Sequence, residues 1–148
     1  MSANVPTDIC FSFTGLIRRG GETGPHIDGF GICFYESGGL REFKDYQANA
    51  ASPIAEFLRT YPILCKVALD HIRQASVGEV NLQNTHPFQR ELWGRAWTFA
   101  HNGQSALLQV PQASERTPLA ELAGILQHYF EQLNRLGVCN LMLSDGNG

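Results

Sequence analysis

Residues Trp97–Ser105 read WTFAHNGQS: an apolar, aromatic opening that runs into His101-Asn102-Gly103. Trp, Thr and Phe suit a half-buried pleated surface, so the stretch predicts a strand ending in a polar cluster. That ending has two readings. Asn-Gly is the favoured pair of a two-residue type I′ hairpin turn, because both residues tolerate φ > 0. Alternatively, an Asn side-chain amide and a Gly N–H can donate together to one developing negative oxygen, with glycine letting a substrate approach the backbone closely. On these residues alone the turn is the default.

Working outward, "IDGFGICFYES" reads as a strand, "SGG" as its turn and "LREFKDY" as its hairpin partner. "LCKVALDHIR" is a second apolar strand and "AWTFAHNG" a third. "VCNLMLSDGNG" is a strand entering a turn. In "TDICFSFTGLIRRGG", Thr7 is the candidate N-cap of a helix, with Asp8 in its first turn. Ile9, Phe13, Leu16 and Ile17 have helical spacing, and Gly20 suits the C′ position. "GGETGPH" is a glycine-rich loop without the pattern of a phosphate cradle. Ser52-Pro53 is an N-cap followed by proline at N1, opening a short helix that must stop before Pro62. Thr117-Pro118 repeats that signal ahead of Leu119, Leu122, Leu126, Tyr129, Leu133 and Leu136, the apolar stripe of a long amphipathic helix closed by Gly137. Strands and helices do not alternate regularly, so the class is α+β with antiparallel pairing and helices on sheet faces.

The 148 residues fit one domain, 1–148, with a 43% apolar and 17% charged composition typical of globular proteins. A net charge of −3 gives no electrostatic reason to expect nucleic acid or an anionic membrane. No apolar run is long enough to span a bilayer, and "MSANVPTD" lacks the features of a signal peptide. Cytoplasmic residence is the expectation, and a homo-oligomer is left open. Cys10, Cys33, Cys65 and Cys139 are widely spaced in apolar settings, which suits buried thiols and no zinc site.

Three polar clusters fall at strand ends: "HIRQAS" (71–76), "NTHPF" (84–88) and "HNG" (101–103). Arg73 reads either as a surface ion-pair partner or as a planar fork for a substrate carboxylate, with the Ser76 hydroxyl as a second donor. His71, His86 and His101 match no metal signature and default to structural roles. Pro87 restricts the backbone of His86. Asp28 in "DGFG" reads as a turn or capping carboxylate.

Taken together and in order, "FTGLIRRGGETGPHIDGFGICFY", "HIRQASVGEVNLQNTHPF", "ELWGRAWTFAHNGQ" and "GVCNLMLSDG" resemble the class II, N-terminal-nucleophile glutamine amidotransferases, in particular their small stand-alone bacterial members. The similarity covers most of residues 1–104 and returns over about 117–146. The resemblance implies an αββα sandwich of antiparallel sheets flanked by helices, no cofactor, and cleavage of the glutamine side-chain amide to glutamate and ammonia, often for an acceptor whose identity the chain does not reveal. Carried over by motif, Arg73 would bind the glutamine α-carboxylate with Ser76 assisting, and Asn102 with Gly103 would form the oxyanion hole. His86 would lie in a loop near the glutamine site, and His71 and His101 would support neighbouring strands.

Two departures qualify the expectation. The family nucleophile is a cysteine whose own α-amino group acts as base once the initiator methionine is gone. This chain opens "MSANVP", which matches the family pattern several residues past that cysteine; Ser2 is out of register with it, and none of the four cysteines can present a free amine. After "HNGQ" the family carries a longer segment with an acidic ligand for the α-amino group, whereas here no Asp or Glu precedes Glu115. The expectation is a shortened amidotransferase domain that, as it stands, is catalytically inactive. A non-catalytic module that binds glutamine or another amino acid is the alternative, and a purely structural domain a third. The deciding geometry is whether Arg73 and Asn102 face one cleft.

Overall fold

The computed structural model describes residues 1–47, 51–76, 78–92, 94–102, 119–136 and 140–147. Its elements are β1 (Ser2–Asp8), α1 (Cys10–Ile17), β2 (Phe30–Glu36), β3 (Gly39–Asp45), α2 (Pro53–Thr60), β4 (Leu64–Ile72), β5 (Phe88–Leu92), β6 (Arg95–Asn102), α3 (Leu119–Leu136) and β7 (Asn140–Ser144). Every strand pairing among the described residues is antiparallel. One sheet has the order β1-β4-β2-β3 and the other β5-β6-β7, giving the α+β class.

Alternation along β2 decides how the layers stack. Phe30, Ile32 and Phe34 share one face and are buried against Phe13 and Ile17 of α1 and Ala55 and Leu58 of α2. Tyr35 belongs to the opposite face and reaches the second sheet. Its hydroxyl lies 2.9 Å from the Ala96 carbonyl oxygen, 2.8 Å from that of Ser144 and 3.3 Å from Thr98 Oγ1. The first sheet is therefore the middle layer, with helices on one side and the second sheet on the other.

The predicted β2–β3 hairpin forms as read, with Ser37 and Gly38 both at positive φ (50° and 76°). Ser52 caps α2, its hydroxyl accepting from Ala55 N at 3.2 Å, and Pro53 occupies the first turn. The Thr7 cap does not hold. Residues 2–8 form a strand on the edge of β4, and Ile9 takes the cap position with no side-chain cap. The start of α1 is fixed instead by Ile9 N donating to Ile63 O and Cys10 N to Asp8 Oδ1. Its end is capped at Arg18, and Gly20 pairs in a short bridge with Pro25. The edge strand β5 was likewise not anticipated. Thr117-Pro118 lies outside the described residues, as do Gly137, Cys139 and the side chains of Leu119, Leu122, Tyr129, Leu133 and Leu136 in the helical stripe.

Cys10, Cys33 and Cys65 are free thiols, the last two buried. Burial pushes the Cys33 thiol up to about 12, so it is protonated and inert at neutral pH. No helix among the described residues is long and apolar enough to cross a membrane.

Candidate functional site

Asn102 is not the corner of a hairpin. It is the last residue of β6, paired opposite Asn140 of β7, and β7 begins far along the chain after α3. The polar end of β6 is therefore a strand end at the seam between the two sheets, where β4 of the other sheet also finishes.

Arg73 follows β4 directly. Its backbone continues the ladder with β2: Arg73 N donates to Gly29 O at 2.8 Å, and Asp28 N donates to Arg73 O at 3.1 Å. The Asp28 carboxylate accepts from Ala75 N at 2.7 Å. Asp28 is thus the capping carboxylate anticipated, and what it fixes is the Arg73–Ser76 turn. The guanidinium is not a surface group. Arg73 is 7% exposed, and its Nη1 donates to the Glu79 main-chain oxygen at 3.0 Å.

Arg73 and Ser76 from the first sheet and Asn102 from the second line one cleft of about 810 Å3. His26, His71, His86 and His101 line it as well. Gly103 lies outside the described residues. Three of the imidazoles form an edge-on stack that bridges the sheets, with His71 and His101 ring centres 4.5 and 4.3 Å from that of His86. Burial, reinforced by the neighbouring imidazoles and Arg73, pulls His71 down to about 4 and His86 down to about 3. Both rings are neutral at pH 7, so a fixed cation, Arg73, stands beside uncharged hydrogen-bonding groups. Among the described residues no group of His, Cys, Asp and Glu is arranged to hold a metal ion.

The His86-Pro87 segment gets its place from glycine. Its peptide bond is cis, Thr85 and His86 are buried, and the segment lies on β2 at Gly31. A Cβ there would strike the His86 carbonyl oxygen, and it would come within 3.0 Å of Pro87 Cδ.

Residues 1–118 match the sequence pattern of the class-II glutamine amidotransferases. The chain belongs to that family. It is 49% identical over 173 aligned positions to the candidate glutamine amidotransferase YafJ of Escherichia coli (strain K12), covering 99% of this chain and 68% of YafJ. That span exceeds the 148 residues here, so YafJ carries residues inside the matched region with no counterpart in this chain. A second candidate glutamine amidotransferase, from Haemophilus influenzae, is 55% identical over 103 residues, which is 70% of this chain and 35% of that one. The crystal structure of a predicted glutamine amidotransferase from Pseudomonas aeruginosa PA01 superimposes with a TM-score of 0.65 at 36% identity, covering 98% of this chain and 67% of the other.

In this amidotransferase chain, His26, Asn84 and Gly31 escaped the sequence reading. Gly31 had a legible signal: a glycine inside a strand marks a close approach of another backbone. The positions of His26 and Asn84 depend on loop folding and leave no local pattern.

Proposed function

We propose that the cleft binds glutamine and serves the glutaminase half-reaction, cleaving the side-chain amide to glutamate and ammonia for an acceptor held elsewhere. The observation that carries this reading is that Arg73 and Asn102, from different sheets, line the same cleft. The Arg73 fork would take the α-carboxylate in bidentate fashion, with the Ser76 hydroxyl as a further donor. The Asn102 amide, with the Gly103 N–H, would stabilise the oxyanion of the tetrahedral intermediate, a contribution of about 3–4 kcal/mol per donor in other acyl-transfer sites. His86 and its neighbours, held neutral, would shape the wall without competing for the carboxylate.

The nucleophile is the open part of this scheme. None of Cys10, Cys33 and Cys65 lines the cleft. β1 runs antiparallel to β4 with Met1 opposite Ala68, so each residue placed before Met1 in the same ladder would advance one position along β4 toward Arg73. On this reading the polypeptide 1–148, used as it stands, binds glutamine but turns it over slowly or not at all.

Two measurements test the proposal. Calorimetric titration with L-glutamine should show binding that disappears in Arg73→Ala; no binding by the unaltered chain would refute it. Extending β1 by five residues led by a cysteine that becomes N-terminal should raise ammonia release from glutamine, and Asn102→Ala in that background should lower it by about 100-fold or more.

A further inference from the structure

In the loop after Arg73, the main-chain oxygen of Glu79 accepts from the guanidinium Nη1 at 3.0 Å. Asn84 Nδ2 donates to that same oxygen, also at 3.0 Å. The Glu79 carboxylate is turned to Asn81, whose Nδ2 donates to Oε2 at 3.2 Å. Asn81 in turn caps the single 3-10 turn Leu82–Asn84, its Oδ1 accepting from Asn84 N at 3.0 Å, and its carbonyl accepts from Thr85 Oγ1 at 2.8 Å. Gly78 makes the bend at φ 85°; a Cβ there would lie 3.5 Å from Asn84 Nδ2 and 3.8 Å from Arg73 Nη2. The guanidinium and the carboxamide therefore meet at the cleft wall, around a carbonyl that the loop holds in place.

We propose that Asn84 is a positioning residue for Arg73: by fixing the Glu79 carbonyl it sets the plane of the guanidinium and so selects which N–H pair faces a ligand carboxylate. The inference rests on the reading of Arg73 as the α-carboxylate clamp and extends it to specificity. A carbonyl orients a guanidinium without cancelling its charge, whereas a carboxylate would do both. Bidentate recognition then needs the fork to be coplanar with the incoming carboxylate, and a freely rotating guanidinium meets that condition only part of the time. The side chain at 84 must be a short donor, since an acid there would set oxygen against the Glu79 oxygen. The carboxamide of Asn84 meets that need.

The test is titration of L-glutamine and of L-glutaminamide, in which the α-carboxylate is an amide, into the unaltered chain, Arg73→Ala and Asn84→Ala, with thermal melting alongside. The unaltered chain should prefer glutamine. Asn84→Ala should lose about tenfold in glutamine affinity, with glutaminamide affinity unchanged, so that the preference collapses. Glutamine affinity within about twofold of the original, while Arg73→Ala abolishes it, overturns the inference and leaves the clamp standing. Equal weakening toward both ligands assigns Asn84 to loop folding and also overturns it. An unaltered chain with no preference for glutamine removes the clamp and the inference together. Should Asn84→Ala not melt cooperatively, Asn84→Ser, whose hydroxyl is too short to reach the Glu79 oxygen, carries the same thresholds.

Discussion

Adding one methyl group at Gly31 should destabilise this protein, where the same change in an ordinary strand would stabilise it. Gly31 is the second residue of β2, buried, with Lys44 opposite it on β3 and His71 on β4. In an ordinary strand, Gly→Ala gains about 0.5–1 kcal/mol by restricting the unfolded chain. Here the new Cβ would overlap the His86 carbonyl oxygen and sit 2.9 Å from Lys44 Cγ and 3.0 Å from Pro87 Cδ. The lysine carbon can swing aside, but the other two belong to a buried backbone segment. Overpacking of this kind costs about 1–3 kcal/mol, and an obstacle made of backbone belongs at the upper end. The net loss should be about 2 kcal/mol, or roughly 4–8 °C in Tm for a chain of this size. Urea denaturation of Gly31→Ala beside Gly15→Ala gives a matched comparison, because nothing lies within 4 Å of a Cβ at Gly15 on α1 and that change should stabilise by up to about 1 kcal/mol. A Gly31→Ala variant within about 0.5 kcal/mol of the original would refute the idea that the His86-Pro87 segment rests on that glycine.

Other consequences are directly measurable. His71 and His86 ionise far below the ordinary histidine value of about 6.5 in the folded state, so the unfolded chain takes up protons first as pH falls. Stability should be complete above about pH 7 and fall by about 2 kcal/mol per histidine by pH 5, and denaturant midpoints flat over that range would contradict their burial as neutral rings. Ser52→Ala removes both the cap of α2 and the hydroxyl that donates to Asp45 Oδ2 at 2.5 Å in a buried site, and should cost about 2–3 kcal/mol by chemical denaturation. Tyr35→Phe withdraws the hydroxyl from two carbonyls of the second sheet and should cost about 1–3 kcal/mol, read from thermal melts.

What the sequence disclosed divides along physical lines. Ser52-Pro53, the "IDGFGICFYES" strand and its "SGG" turn are local signals, and each led to the element it announced. The strands β1 and β5 were missed because both are sheet edges. β1 contains Pro6 and is largely exposed, and it owes its existence to the backbone of β4 rather than to its own pattern. At the site, Arg73, Ser76, His86 and Asn102 were named from motif resemblance, whereas the cleft they share required two sheets to be laid face to face. Asn102 is a paired strand residue for the same reason: whether a polar strand end is a corner or a rim is settled by the strands on either side.

Tyr35 and the cleft occupy opposite ends of β2, since Gly31 lies beside His71 while Tyr35 lies four residues further on, about 13 Å away. The two sheets are thus pinned by a phenol at one end and bear the cleft residues Arg73 and Asn102 at the other, in the manner of a pair of tongs with its rivet far from the tips. The separation between Arg73 and Asn102 is then an angle as much as a distance. A small rotation about the rivet would change the gap at the tips and would also strain the His71–His86–His101 stack that bridges the sheets there. Substitutions at Tyr35 or in the histidine stack should therefore change the spacing of Arg73 and Asn102 without touching either.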